Sequence, residues 1–205
     1  MSQVECYSVT MESLEVWLVA TEPEMWADSA RPKDFPAPQE TIARIAKATH
    51  AFLAGETDLL EVGVNERSLT HHLAVHIAPY FDQWHTDCEY NRLGDATKNL
   101  PRPEELMTSP DDTSALTIFP DIIVHRRRTH YNCAVVEVKK AGNRRGLDLD
   151  VAKLRGLTMA GDYDYTVGLH LIIDCARAVV ADVVAYRGGD VDDDLTAYAQ
   201  GLFIQ

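Results

Sequence analysis

Phe119-Pro120-Asp121-Ile122-Ile123-Val124, a basic turn, and then Ala134-Val135-Val136-Glu137-Val138-Lys139-Lys140 are the stretches on which the reading of this 205-residue chain turns. The first apolar run carries one carboxylate; the second carries a carboxylate and an ammonium two residues apart. Strand alternation sends residues two apart to the same face, so Glu137 and Lys139 are expected to point together. Two charges on an apolar strand face are costly unless they pair, hold a metal or reach water. A solvated edge strand is the plain reading of Glu-x-Lys taken alone, and the surrounding sequence is what shifts it.

A register follows from the same two runs. If they form an antiparallel hairpin, Asp121 shares a face with Glu137 and Lys139 only when odd positions pair with odd. Residue 121 then opposes 137, residue 125 opposes 133, and the turn closes around 129. This requires a turn with an odd residue count, or a β-bulge.

The length suits one domain with a core of ordinary size. A hydrophobic fraction of 46% and a charged fraction of 25% are those of a globular protein. No apolar run approaches the ~20 residues of a membrane span, and the N-terminus lacks a secretory pattern, so a cytoplasmic protein without membrane partners is expected. Cys6, Cys88, Cys133 and Cys175 are far apart and read as reduced thiols, mostly buried.

The net charge of −13 excludes a general polyanion binder. Its distribution is uneven. Between Ile122 and Arg145 stand seven basic residues (Arg126, Arg127, Arg128, Lys139, Lys140, Arg144, Arg145) against the single acid Glu137, which is +6 for this window and −19 for the remainder. A basic cluster placed around carboxylate-bearing strands predicts a local rim facing phosphates.

Along the chain, Val9–Ala20 reads as a short amphipathic helix, Thr21–Gln39 as a Pro-rich linker, and Glu40–Leu53 as a helix stopping near Gly55. Asn65 is placed to cap a helix from Glu66 to Ile77 with Leu69, Leu73, Ile77 and Tyr80 on one stripe. Glu66 lies on that stripe, in the first turn, where it either serves the helix dipole or is delivered to a site on the neighbouring sheet. His72 and His76 are spaced for a metal, but a zinc-protease helix carries Glu directly after its first His and position 73 is Leu, so no metal is assigned there. Trp84–Asn91 reads as a strand and Leu93–Thr117 as a long mobile loop. Ala141–Leu147 follows as a basic loop, Asp148–Met159 as a helix, Val167–Asp174 and Ala178–Tyr186 as buried strands, and Gly188 onward as an acidic tail.

This order resembles the PD-(D/E)XK nuclease superfamily: a helix with Glu66, a strand, a strand with Pro120-Asp121, a strand with Glu137-Val138-Lys139, a helix with Asp150-Val151-Ala152-Lys153-Leu154, a strand. The resemblance covers about Leu60 to Tyr186. It implies an α/β protein with a restriction-endonuclease-like core, a central mixed sheet of about four to five strands flanked by helices. Residues 1–55 are then an N-terminal helical extension and Pro-rich linker packed on the core, and 56–205 the nuclease-like domain with its acidic tail. The resemblance further implies that Asp121 and Glu137, with the Val138 carbonyl, bind Mg²⁺, for which Mn²⁺ can substitute. Lys139 would orient or activate the attacking water and stabilise charge developing on phosphorus, Glu66 would complete the site, and Asp150 and Lys153 would support it. Arg126, Arg127, Arg128, Lys140, Arg144 and Arg145 would hold the backbone of a nucleic acid, DNA before RNA. A homodimer or a protein partner is compatible with this, and the alternative function is a non-catalytic interaction or regulatory module on the same fold.

Overall fold

The charged strand of the sequence is central, not an edge. In the computed structural model, which describes residues 34–93, 96–100 and 116–204, strand β7 (Asn132–Lys140) lies between β6 (Ile122–His125) and β8 (Val167–Asp174). With β1 (His85–Cys88), β9 (Val179–Arg187) and β10 (Asp190–Val191) they form a six-stranded sheet in the order β1-β6-β7-β8-β9-β10. All neighbours are antiparallel except β7 and β8, which are parallel. A parallel pair needs a long crossover, and helix α4 (Leu147–Thr158) supplies it.

The register at the site end is the one expected, and at the turn end it differs, His125 pairing with Asn132 where 133 was expected. Ile122 pairs with Val136 and Ile123 with Val135, so Asp121 falls opposite Glu137. The ladder shifts between Val124 and His125, where Val124 faces Ala134 but His125 faces Asn132. Cys133 is the extra residue, and it enters the same half of the core as its neighbour Ala134, which only a bulge allows.

Helices cover both faces. On one lie α1 (Pro38–Gly55), the short α2 (Thr57–Glu61), α3 (Glu66–Ile77) and α5 (Asp193–Phe203). They share an apolar core with Val124, Val136 and Val138, to which Ile42, Ile45, Phe52, Leu69, Leu73 and Ile77 contribute fully buried side chains. Each such side chain contributes about 1.5–3 kcal/mol by its removal from water. On the other face lies α4, whose Leu154 and Leu157 pack with Ile123, Val135 and Tyr165. Gly168 lets α4 sit close to β8, since a Cβ there would stand 3.0 Å from Leu154 and Thr158 carbons.

The sheet has six strands where four to five were expected, because the segment after β9 adds β10, and further expectations are adjusted. The helix starting near residue 40 belongs to the main core and to the compact unit Arg31–Gln205. Tyr80 leaves the buried stripe, in a short 3₁₀ turn over Ala78–Tyr80, and is exposed. The acidic C-terminal segment forms β10 and α5: Asp192 accepts from the Leu195 N–H at 2.9 Å as N-cap, Asp193 and Asp194 occupy the first turn, and Leu195, Ala199 and Phe203 are buried. Where a long loop over Leu93–Thr117 was expected, β2 (Arg92–Leu93) pairs with β3 (Ala96–Thr97) and β4 (Asn99–Leu100) with β5 (Leu116–Thr117). The helix expected over 9–20, most of the Pro-rich linker and residues 101–115 lie outside the described residues. Among those described, no helix is long and apolar enough to cross a membrane.

At the turn end of β6, Asp87 is held by the forked guanidinium of Arg127, with Nε at 2.8 Å, and accepts from His125 Nε2 at 2.9 Å. Burial lowers the His125 pKa to about 4; the Lys98 ammonium adds to this, and the Asp87 hydrogen bond opposes it. Between pH 6.5 and 4 the unfolded chain therefore binds the proton that the folded one refuses. The stability contributed by neutral His125 is complete above 6.5 and falls as pH falls through that window. A histidine-selective NMR titration is expected to place the His125 midpoint near 4. A midpoint of about 6 or more, the ordinary range, would instead indicate an imidazolium paired with Asp87.

Candidate functional site

Where β6 begins and β7 ends, the side chains of odd-numbered residues face α4. Asp121, Glu137 and Lys139 are thereby brought to one place. Asp121 Oδ2 accepts from the Val138 N–H at 2.8 Å, and the Asp121 N–H lies 3.4 Å from Glu137 Oε1. From α4, Asp150 and Lys153 stand one helical turn apart on the same face. Lys153 Nζ is bonded to Glu137 Oε2 and lies 3.4 Å from both Asp150 Oδ1 and the Phe119 carbonyl. Lys139 Nζ is 2.8 Å from Asp150 Oδ2 and 3.6 Å from Glu66 Oε2.

Glu66 comes from the opposite layer. Asn65 caps α3 by accepting from the Ser68 N–H at 2.9 Å, which starts the helix so that Glu66 meets the end of β7. Its Oε1 accepts from the Lys140 N–H at 3.0 Å and from Asn143 Nδ2 at 2.7 Å, leaving Oε2 towards Lys139. Lys140 reaches back with its own ammonium to the carbonyls of Gly63 and Val64, at 3.2 and 2.9 Å.

The solvated-strand reading fails on burial. Glu137 is 0% exposed, Asp150 5%, Lys153 7% and Lys139 8%, so these charges answer to one another and not to bulk water. Four carboxylates (Glu66, Asp121, Glu137, Asp150) face two ammonium groups (Lys139, Lys153), a formal charge of −2. Electrostatics register the excess. Burial raises the Glu137 pKa well above the ordinary carboxylate value, and the neighbouring Asp121 raises it further against the pull of Lys153. Burial also raises Asp121, although the Val138 N–H and the lysines oppose it. For Glu66, burial is outweighed by the Lys140 N–H, the Asn143 amide and Lys139, so its pKa lies below the ordinary value. Lys139 shows the converse: burial disfavours its charge, but Asp150, Glu66 and Asp121 outweigh that and keep it firmly an ammonium. A lysine so held donates and stabilises charge; it is a poor base.

His170 belongs to this network and was not singled out by the sequence reading. It stands on β8 opposite Glu137, with Nε2 buried, 3.9 Å from Asp150 Oδ2 and without a hydrogen-bond partner among the described residues. A polar residue within the apolar run Val167-Gly168-Leu169-His170-Leu171-Ile172 was the available signal, the same signal that identified Glu137.

The basic residues divide. Lys140, Arg144 and Arg145 follow directly on the site-bearing end of β7. Arg126, Arg127 and Arg128 occupy the turn at the other end of β6, about 17 Å from Asp121 at ~3.4 Å per residue. Arg126 there stacks 4.7 Å over Trp84 and pairs with Asp34, and Arg127 is committed to Asp87. These three do not form a rim for the carboxylates, because the turn that joins two strands lies at the end remote from where the pair opens.

A cleft of about 740 Å³ opens beside the cluster, and Glu66, Asp121 and Lys139 line it together with Arg67, His71 and Cys88. Glu137 lies beneath this lining. The donors fit a hard divalent cation in type and charge: Mg²⁺ takes one or two carboxylates and completes its shell with water or substrate oxygens. Asp121 and Glu137 meet that count, and the Val138 carbonyl faces the Asp121 strand because the N–H and C=O of one extended residue share a side. Among the described residues no group of three or more His, Cys, Asp or Glu is arranged to hold a metal. A scan against models of protein families finds no match to the chain, and a search of curated proteins finds none.

Proposed function

We propose that this chain is a Mg²⁺-dependent phosphodiesterase of the PD-(D/E)XK type acting on nucleic acid, DNA before RNA. The observation that carries the proposal is the buried cluster at one end of the sheet, two carboxylates in excess of its lysines, opening on a cleft. The buried members Glu137, Asp150, Lys139 and Lys153 balance in charge, and the two carboxylates in excess, Asp121 and Glu66, are part-buried on the cleft wall, where a divalent cation would match their formal −2. The element order supports the family likeness: α3, the antiparallel strands β1, β6 and β7, then α4 crossing to the parallel strand β8.

In this reading Asp121 and Glu137 hold the cation, with Val138 contributing its carbonyl. When bound, Mg²⁺ supplies Lewis-acid stabilisation of charge on the phosphate oxygens. Lys139 places a permanent positive charge at the cleft, where charge develops on phosphorus during attack. Glu66 and Asp150 fix that ammonium from two sides, and Lys153 holds the buried carboxylate of Glu137 in place. Arg144 and Arg145 remain as positioning contacts for phosphates near the strand end, whereas the Lys140 ammonium is committed to the Gly63 and Val64 carbonyls.

Titration calorimetry with Mn²⁺ tests the first step. Binding is expected in the wild type and not in Asp121→Asn, and Mn²⁺ at 100 times its Kd should stabilise the fold by about 2.7 kcal/mol. The second reading, a non-catalytic module on this fold, is favoured by one feature: Lys153 already occupies an oxygen of Glu137. Mn²⁺ heats unchanged by Asp121→Asn, together with no hydrolysis of bis(4-nitrophenyl) phosphate, would select that reading.

A further inference from the structure

The cleft has a second wall. Along the outer side of α3, Arg67, Ser68, His71 and His72 recur at positions i, i+1, i+4 and i+5, which is one helical face, and all four line the cleft that holds Asp121 and Lys139. Across from them stand Cys88 and Glu89 at the end of β1. We propose that this face of α3 binds one strand of a nucleic acid and feeds it to the cluster. The inference rests on the phosphodiesterase reading and names its substrate class.

Chemistry and dimensions both point this way. Arg67 is the cation of this wall; its partner among the described residues is Glu89, at 2.8 Å, in a pair where the arginine side chain is 81% exposed. An ion pair so solvated is worth little, so a phosphate can take the guanidinium at small cost. One turn on, His71 presents an exposed imidazole, with the His72 ring 5.7 Å away and edge-on to it. Imidazole faces are among those on which unstacked bases rest. His72 itself lies 3.7 Å from Glu56 and is the inner limit of the surface. A volume of about 740 Å³ is that of a site enclosing a drug-sized ligand. It has room for a nucleotide or two of a flexible strand, which can reach Asp121 and Lys139 on its walls, and is far smaller than a double helix. The turn carrying Arg126, Arg127 and Arg128 is at the wrong end of the strands to serve this path.

Fluorescence anisotropy decides the matter, with labelled single-stranded DNA and RNA decamers and a blunt duplex, in chelator so that nothing is cleaved. The wild type is expected to bind a single strand, of either sugar, more tightly than the duplex. Arg67→Ala/His71→Ala should weaken that binding about 10- to 100-fold, the loss of one phosphate contact and one stacked base. Arg128→Asn should leave it unchanged. Both altered surfaces are exposed, and an unchanged melting temperature certifies the fold. Tighter binding of the duplex, an unaffected double variant, or an equal loss in Arg128→Asn would each overturn the assignment. If no oligonucleotide binds while bis(4-nitrophenyl) phosphate is still hydrolysed with Mn²⁺, the α3 surface fails and the phosphodiesterase reading survives. If that hydrolysis also fails, both fall.

Discussion

Lys153→Ala is expected to destabilise the metal-free protein by about 3–5 kcal/mol, the cost of stranding a buried charge. Lys153 is the closest counter-ion of Glu137, whose side chain is 0% exposed, and is itself buried, with its ammonium 3.4 Å from the Phe119 carbonyl. For a chain of this size the melting temperature should fall by roughly 10 °C. Urea unfolding with an unchanged m-value would show that stability and not compactness has altered. Two controls separate electrostatics from packing. Glu137→Gln/Lys153→Met should cost less than the two single changes together, since it removes both charges while keeping volume. Millimolar Mn²⁺ should restore part of the loss in Lys153→Ala, because a cation then faces Glu137 again. A loss below about 1 kcal/mol, the level of an ordinary surface ion pair, would mean that Glu137 is solvated after all.

Lys139→Met is expected to lower kcat for phosphodiester hydrolysis about 10²–10³-fold, as loss of one preorganised donor to a developing oxyanion does. Affinity for Mn²⁺ should move the other way. Removing one ammonium takes the cluster from −2 to −3, so the cation should bind more tightly while the chemistry fails. Lys139→Arg should rescue little, because the forked guanidinium does not reproduce a compact ammonium between Asp150 and Glu66. Rate assays and calorimetry on the same preparations check both directions. Activity within a few-fold of wild type would remove Lys139 from the reaction.

What the sequence disclosed was mostly periodic. Glu137 and Lys139 had to share a face because strands alternate, and the hairpin had to place Asp121 opposite Glu137 if all three were to meet. The bulge at Cys133 satisfies that condition. Asp150 and Lys153 were visible as one helix face, but their bonds were not: that Lys153 rather than Lys139 pairs with Glu137 depends on how α4 crosses the sheet, a tertiary fact without a local signature. The acidic run Asp192-Asp193-Asp194 reads from sequence as part of an acidic tail, whereas the same residues cap and start α5. The arginine turn was misplaced for another reason. Closeness in sequence to Asp121 and Glu137 does not make Arg126–Arg128 close in space, because antiparallel strands carry their connecting turn to the far end.

Glu66 divides its two oxygens between the scaffold and the site. One holds the Lys140 backbone and Asn143, and so moors the loop that carries Arg144 and Arg145; the other faces Lys139. A carboxylate shared in this way is a transmission: whatever draws Glu66 towards the cleft loosens the mooring, and whatever tightens the loop returns it. The order of the loop after β7 and the charge state of the cluster are thus two readings of one side chain.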